Sequence, residues 1–134
     1  DCPRRIASLF QHAQRSADVC VFTITDDRIS GAILDAHRRG VKVRIISDND
    51  KSRDRGSDID EMDRAGVAVR VDRSEYHMHH KFALFDQSRL VTGSYNWTRS
   101  AASVNEENFI VTDDAELIGR FSQLFEDLWT KFAP

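Results

Sequence analysis

Apolar residues recur along this chain in two periods, and the switches between those periods divide it into helices and strands. From Pro3 to Ala17, Ile6, Leu9, Phe10 and Ala13 fall at helical spacing, with Pro3 suited to a first turn that needs no amide donor. Asp18–Thr23 is β-branched and apolar, which predicts a strand. Asp26 and Asp27 can cap a helix over Arg28–Arg39, where Ile29, Ile33, Leu34 and His37 lie near one face and Gly40 is the stop. Val41–Ser47 reads as a second strand, Asp48–Ser57 as a polar loop, Ser57–Ala65 as a short helix ending at Gly66, and Val67–Val71 as a third strand.

After the first helix this is a βαβαβ order, which favours parallel pairing with helices packed on the sheet. Lys81–Phe85 and Leu90–Thr92 are close enough to be hairpin partners, and Asn108–Val111 is a further strand. The last segment, Ala115–Phe132, is an amphipathic helix with Leu117, Phe121, Leu124, Phe125, Leu128 and Phe132 on one stripe. The expected fold class is therefore α/β: a mixed, largely parallel β-sheet sandwiched between helical layers. No internal repeat or low-complexity segment interrupts it.

A length of 134 residues suits one domain, 1–134, with a real hydrophobic core. The formal net charge of -3 gives no whole-molecule attraction to nucleic acid or anionic membrane, so any polyanion site must be a local patch. No apolar run approaches the roughly 18–20 residues of a membrane-spanning helix, and no signal peptide is visible. The chain reads as a water-soluble domain, for which the cytoplasm is the default compartment. It opens at Asp1 rather than Met, which leaves open a longer protein and an anchor or targeting segment outside this stretch. Cys2 and Cys20 are too few for a disulfide scaffold. Cys20, inside Val19–Phe22, reads as a small buried thiol, and spacing alone does not decide whether it pairs with Cys2.

One segment carries chemistry. His79, Lys81, Asp86, Gly93, Ser94 and Asn96 follow the pattern H-x-K-x4-D-x6-G-S-x-N. Along a strand His79 and Lys81 point the same way and His80 the other. A neutral imidazole can attack phosphorus to give a phosphohistidine that water then cleaves. Lys81 would neutralise phosphate charge, Ser94 and Asn96 would donate to the non-bridging oxygens, and Gly93 would let the backbone approach closely. No metal or other cofactor is required by this set. His77, His79 and His80 lie close in sequence, but no Cys and few carboxylates accompany them at ligand spacing.

This pattern resembles the signature of the phospholipase D superfamily. The likeness is to its small single-motif members, the bacterial endonucleases and the mitochondrial cardiolipin hydrolase/Zucchini-type endonucleases. It extends to Arg39–Arg44, Thr92–Thr98, Asn105, Glu107, Asn108 and the closing Phe125–Trp129. The resemblance implies that His79 is the nucleophile, that Lys81, Ser94 and Asn96 bind phosphate, and that Glu107 orients the imidazole through its other nitrogen. Asp86 matches the motif's Asp and is expected to support the strand end more than to touch substrate. Zucchini-like relatives can carry a zinc-binding insertion, but Cys2, His12 and Cys20 make no convincing ligand set, which favours the simpler bacterial form.

Only one copy of the motif is present, whereas the leaving oxygen needs a second acid. The resemblance then implies a homodimer, with two His79 residues meeting at one two-fold site. Lys51, Arg53, Arg55, Arg99 and His77 are candidate substrate contacts, the first three in a polar loop suited to a phosphate backbone. Tyr76, Met78, Tyr95 and Trp97 could stack on bases or contact lipid, with core packing at least as good a reading for Trp97. The expected function is a metal-independent endonuclease acting on single-stranded DNA or RNA. The alternative is phospholipase D-type hydrolysis of a phospholipid such as cardiolipin, which the same residues would perform. A nucleic-acid-binding module without activity is a third reading, opposed by the complete motif.

Overall fold

A computed structural model describes residues 2–48, 58–72, 80–93, 97 and 109–133. Among these the order is α1 (Cys2–His12), β1 (Ser16–Cys20), α2 (Asp27–Arg38), β2 (Lys42–Asp48), α3 (Ile59–Arg64), β3 (Ala68–Asp72), β4 (Phe82–Phe85), β5 (Arg89–Gly93), β6 (Phe109–Thr112) and α4 (Ala115–Lys131). Asp26 caps α2 as its sequence position predicts, its side chain accepting from the Arg28 amide. Gly40 and Gly66 close α2 and α3 at φ 96° and 99°, a conformation that costs glycine little.

The six strands form one sheet in the order β3-β2-β1-β4-β5-β6. The expected mixed sheet between helical layers is present, but it is less parallel than the βαβαβ order suggested. Pairs β1/β2 and β2/β3 are parallel, whereas β1/β4, β4/β5 and β5/β6 are antiparallel. The reason lies in the connections. Helical crossovers join the first three strands, while a tight hairpin joins β4 to β5 and so reverses direction.

Alternation along the strands sorts the core into two layers. Ala17, Val19, Val43, Ile45, Ala83, Phe85 and Val91 face α1, α2 and α3, joining Phe10, Ile33 and Met62. Cys20, Ile46, Phe82, Leu84 and Leu90 face α4 through Ile118, Phe125 and Phe132. The buried-thiol reading of Cys20 holds: it lies in the core, and burial pushes its pKa up to about 12, so it stays protonated. The α4 stripe differs from its expected phase at one end. Ile118 is buried, whereas Leu117 is 40% exposed, because the contacting face runs through Ile118, Phe121 and Phe125.

A charged link crosses the α4 layer. Asp18 of β1 is buried and accepts from Arg44 Nε (2.9 Å) and Nη2 (3.0 Å). The same guanidinium reaches Glu126 of α4 at 2.5 Å and lies over the Phe125 and Trp129 rings. Arg70 of β3 adds a bond to the Trp129 carbonyl and stacks 4.1 Å over that ring. Burial disfavours the Arg44 charge, but the bonds to Asp18 and Glu126 outweigh it and hold the guanidinium protonated. Removing one partner of such a pair leaves the other charge stranded. Arg44→Met should therefore cost about 3–5 kcal/mol in denaturant unfolding. Adding Asp18→Leu should restore much of that loss, and no recovery would mean that the pair is not what Arg44 supports.

Candidate active site

Strand directions decide where the motif's described residues lie. Because β4 runs antiparallel to β1, its first residue stands at the end of β1, with Phe82 opposite Cys20. Because β5 returns antiparallel to β4, Phe82 also faces Thr92, and the same register sets Lys81 across from Gly93. β6 begins at this edge, with Phe109 opposite Gly93. β2 and β3 end here too, with Asp48 opposite Asp72.

The neighbouring connections meet the same edge. Ile24, just beyond β1, forms a parallel bridge with Trp97, and its carbonyl accepts from the Asp58 amide at 2.9 Å. The Trp97 carbonyl accepts from Thr25 (2.9 Å) and Asp26 (3.4 Å). Thus Asp48, Asp58, Asp72, His80, Gly93, Trp97 and Phe109, the described residues that flank the motif-bearing stretches, share one edge of the sheet.

His79, Ser94, Asn96, Glu107, His77, Lys51, Arg53, Arg55 and Arg99 lie outside the described residues, as do the polar loop beyond Asp48 and Tyr76, Met78 and Tyr95. Lys81 is half-buried at the head of β4, and alternation puts it on the Ala83 and Phe85 face. His80 takes the opposite face, 6.0 Å edge-on from Phe82. Partial desolvation, then the Lys81 charge, lowers the His80 pKa, so its neutral form is favoured. Trp97 resolves to the core reading: it is 1% exposed and meets Phe10 edge-on at 6.0 Å.

Asp86, grouped with the catalytic residues by the motif, sits at the other end of β4. Five residue-to-residue steps along β4, at ~3.4 Å each, separate it from Lys81 by roughly 17 Å. There its contacts are with the backbone that leads into β1. Its Oδ1 accepts from the Arg15 (2.7 Å) and Ser16 (3.0 Å) amides and its Oδ2 from Gln14 (3.0 Å), while its own amide donates to the Ser16 carbonyl (2.9 Å). Asp86 and Gln87 both take φ 55° in the three-residue turn between Phe85 and Arg89, where the Ser88 amide donates to the Phe85 carbonyl (3.0 Å), and Asp tolerates that region better than most residues. Gln87 is held in turn by Asp18 at 3.1 Å.

Sequence reading passed over Asp48 and Asp72. They are 1% and 5% exposed, on adjacent strands at the candidate edge. The available signal was that two consecutive apolar strands each end in Asp, at Ile46-Ser47-Asp48 and Arg70-Val71-Asp72.

Comparison with known proteins agrees with this architecture. A family model described as cardiolipin synthase, PLD-like domain, matches residues 6–129. The chain belongs to the phospholipase D-like family. Mitochondrial cardiolipin hydrolase of Chlamydomonas reinhardtii is 53% identical over 120 residues, covering 90% of this chain and 54% of that protein. The Xenopus tropicalis protein of the same name is 45% identical over 130 residues, covering 97% and 62%. The chain thus spans a little over half the length of these curated relatives. Among solved structures, the phospholipase D family member Nuc from Salmonella typhimurium superposes with a TM-score of 0.86 at 28% identity, covering 95% of this chain and 86% of that one.

The Asp86 clamp makes a pH-dependent prediction. Partial burial opposes its ionisation, but the Ser16, Arg15 and Gln14 amides and the Arg15 charge outweigh that and lower its pKa. A depressed carboxylate contributes its stability above the ordinary value of about 3.9 and loses it as pH falls through the folded value. Asp86→Ala should cost roughly 2–4 kcal/mol at pH 7. Unfolding curves from pH 7 to 2 should show a shallower acid loss in the variant. Parallel curves would show that the clamp contributes nothing.

Proposed function

We propose that this domain is a phosphodiesterase whose site forms along the shared sheet edge. The observation that carries the reading is the placement of Lys81 across from Gly93, at the edge bordered by Asp48, Asp58, Asp72, Trp97 and Phe109. The imidazole of His79 attacks phosphorus, and the bond to the leaving oxygen breaks as that oxygen takes a proton from a second acid. Water then cleaves the phosphohistidine, returning the free imidazole. Lys81, Ser94 and Asn96 hold the phosphoryl oxygens, and Glu107 fixes the His79 tautomer. Asp86 acts from a distance, through β4.

The second acid is the His79 of another copy in a homodimer, since the chain has one motif. Nucleic acid, DNA or RNA in single-stranded form, is the substrate on our first reading, through Lys51, Arg53, Arg55, Arg99 and His77, and the resemblance of the motif to that of the single-motif bacterial endonucleases supports it. A phospholipid diester is the second reading. It is favoured by the two curated relatives, at 53% and 45% identity, that are named mitochondrial cardiolipin hydrolase. The two share one reaction and differ in what surrounds the phosphate.

A panel of labelled single-stranded DNA, double-stranded DNA, RNA and cardiolipin vesicles, assayed in EDTA, tests both the activity and the choice. Cleavage of at least one substrate is expected, with His79→Ala reducing it by at least about 10³-fold while the melting temperature holds. The active species should sediment as a dimer. No cleavage of any substrate contradicts the enzyme reading, and an active strict monomer contradicts the two-fold arrangement.

A further inference from the structure

At the end of β4 remote from Lys81, a concavity of about 280 Å³ lies between α1 and the β4–β5 turn. Arg5, Ser8 and His12 line it from successive turns of one α1 face, and Asp86, Ser88 and Arg89 line it from the turn. Among the described residues, the guanidinium groups of Arg5 and Arg89 make no ion pair or hydrogen bond, so two cations from different elements face one space.

The groups that would oppose an anion there are already engaged. The Asp86 oxygens accept three backbone amides. The exposed carbonyls at the end of α1 are also taken. Ser8 O accepts from His12 Nδ1 at 2.8 Å, while Arg39 donates to Phe10 O at 2.9 Å and Ala13 O at 3.2 Å. Two guanidiniums against one carboxylate leave the cavity with net positive charge. Its size suits a small ion better than a drug-sized molecule. Guanidinium groups carry planar donor forks suited to the oxygens of a phosphate group, and here they come from two different walls.

We propose that this cavity binds a small tetrahedral dianion, phosphate or a phosphate monoester, between Arg5 and Arg89. The site is separate from the candidate active edge and does not depend on the reaction proposed for that edge. It makes the turn that Asp86 anchors a ligand-binding element as well as a structural one.

Amide-resolved NMR titration of the whole chain with sodium phosphate, and in parallel with glycerol phosphate, tests this at ionic strength held constant with sodium chloride. Saturating shifts are expected at Ser8, His12, Ser88 and Arg89, and shifts at Lys81 would report any binding at the other edge separately. The double variant Arg5→Ala/Arg89→Ala should weaken the response at the cavity at least tenfold with an unchanged melting temperature. Tighter binding of glycerol phosphate would identify a monoester as the ligand, and equal binding the phosphate group alone. Non-saturating shifts, or saturation undiminished in the double variant, would overturn the proposal.

Discussion

The antiparallel register of β4 against β1 is the constraint on which the candidate site depends, and the Asp86 carboxylate is what holds it at one end. With its oxygens on the Gln14, Arg15 and Ser16 amides, Asp86 ties the β4–β5 turn to the start of β1. Ala17 then faces Phe85 and Cys20 faces Phe82. A slip of one residue would exchange the two faces of β4, burying Ala83 and Phe85 where Phe82 and Leu84 now pack. It would also move Lys81 to the other side of the sheet. A motif residue that sits far from the proposed chemistry thus decides which way the chemistry points.

Hydrophobic packing alone would not place α4 so specifically. Ile118, Phe125 and Phe132 supply its apolar contact, while Arg44 connects it to the buried Asp18 on β1 and Arg70 connects it to β3. Asp18 also accepts from Gln87, in the turn that Asp86 initiates. The two polar devices therefore meet at one hairpin: Asp86 holds it to the α1–β1 connection, and Asp18 links it to the α4 layer. Each relies on a carboxylate engaged by several donors, and for the buried Asp18 that is the condition under which its charge is tolerated.

Local signals carried most of the fold into the sequence. Asp26 and Gly40 marked the ends of α2, and Gly66 the end of α3, because caps and left-handed turns are read within a few residues. The sheet's balance of directions was not local. It depends on β4 joining β1 across the sheet, which no residue in either strand announces. The exchange of Leu117 for Ile118 on the buried face of α4 has a similar origin, since the helix's rotation is set by its partners. The chemistry of the motif was legible in its residue types, and the resemblance named the family that the comparison bears out. The geometric role of Asp86 became visible only with Gln14, Arg15 and Ser16 around it. Asp48 and Asp72 stayed hidden because burial at a strand end has no composition.

In the proposed mechanism His79 forms a covalent bond to phosphorus without a metal. Mass spectrometry of the His79 peptide after a single-turnover reaction in EDTA, quenched in alkali to preserve phosphohistidine, tests it directly. The expected result is a phosphoryl-linked product fragment on His79 that appears and decays with turnover. Turnover with no adduct, or an adduct on another residue, would contradict it.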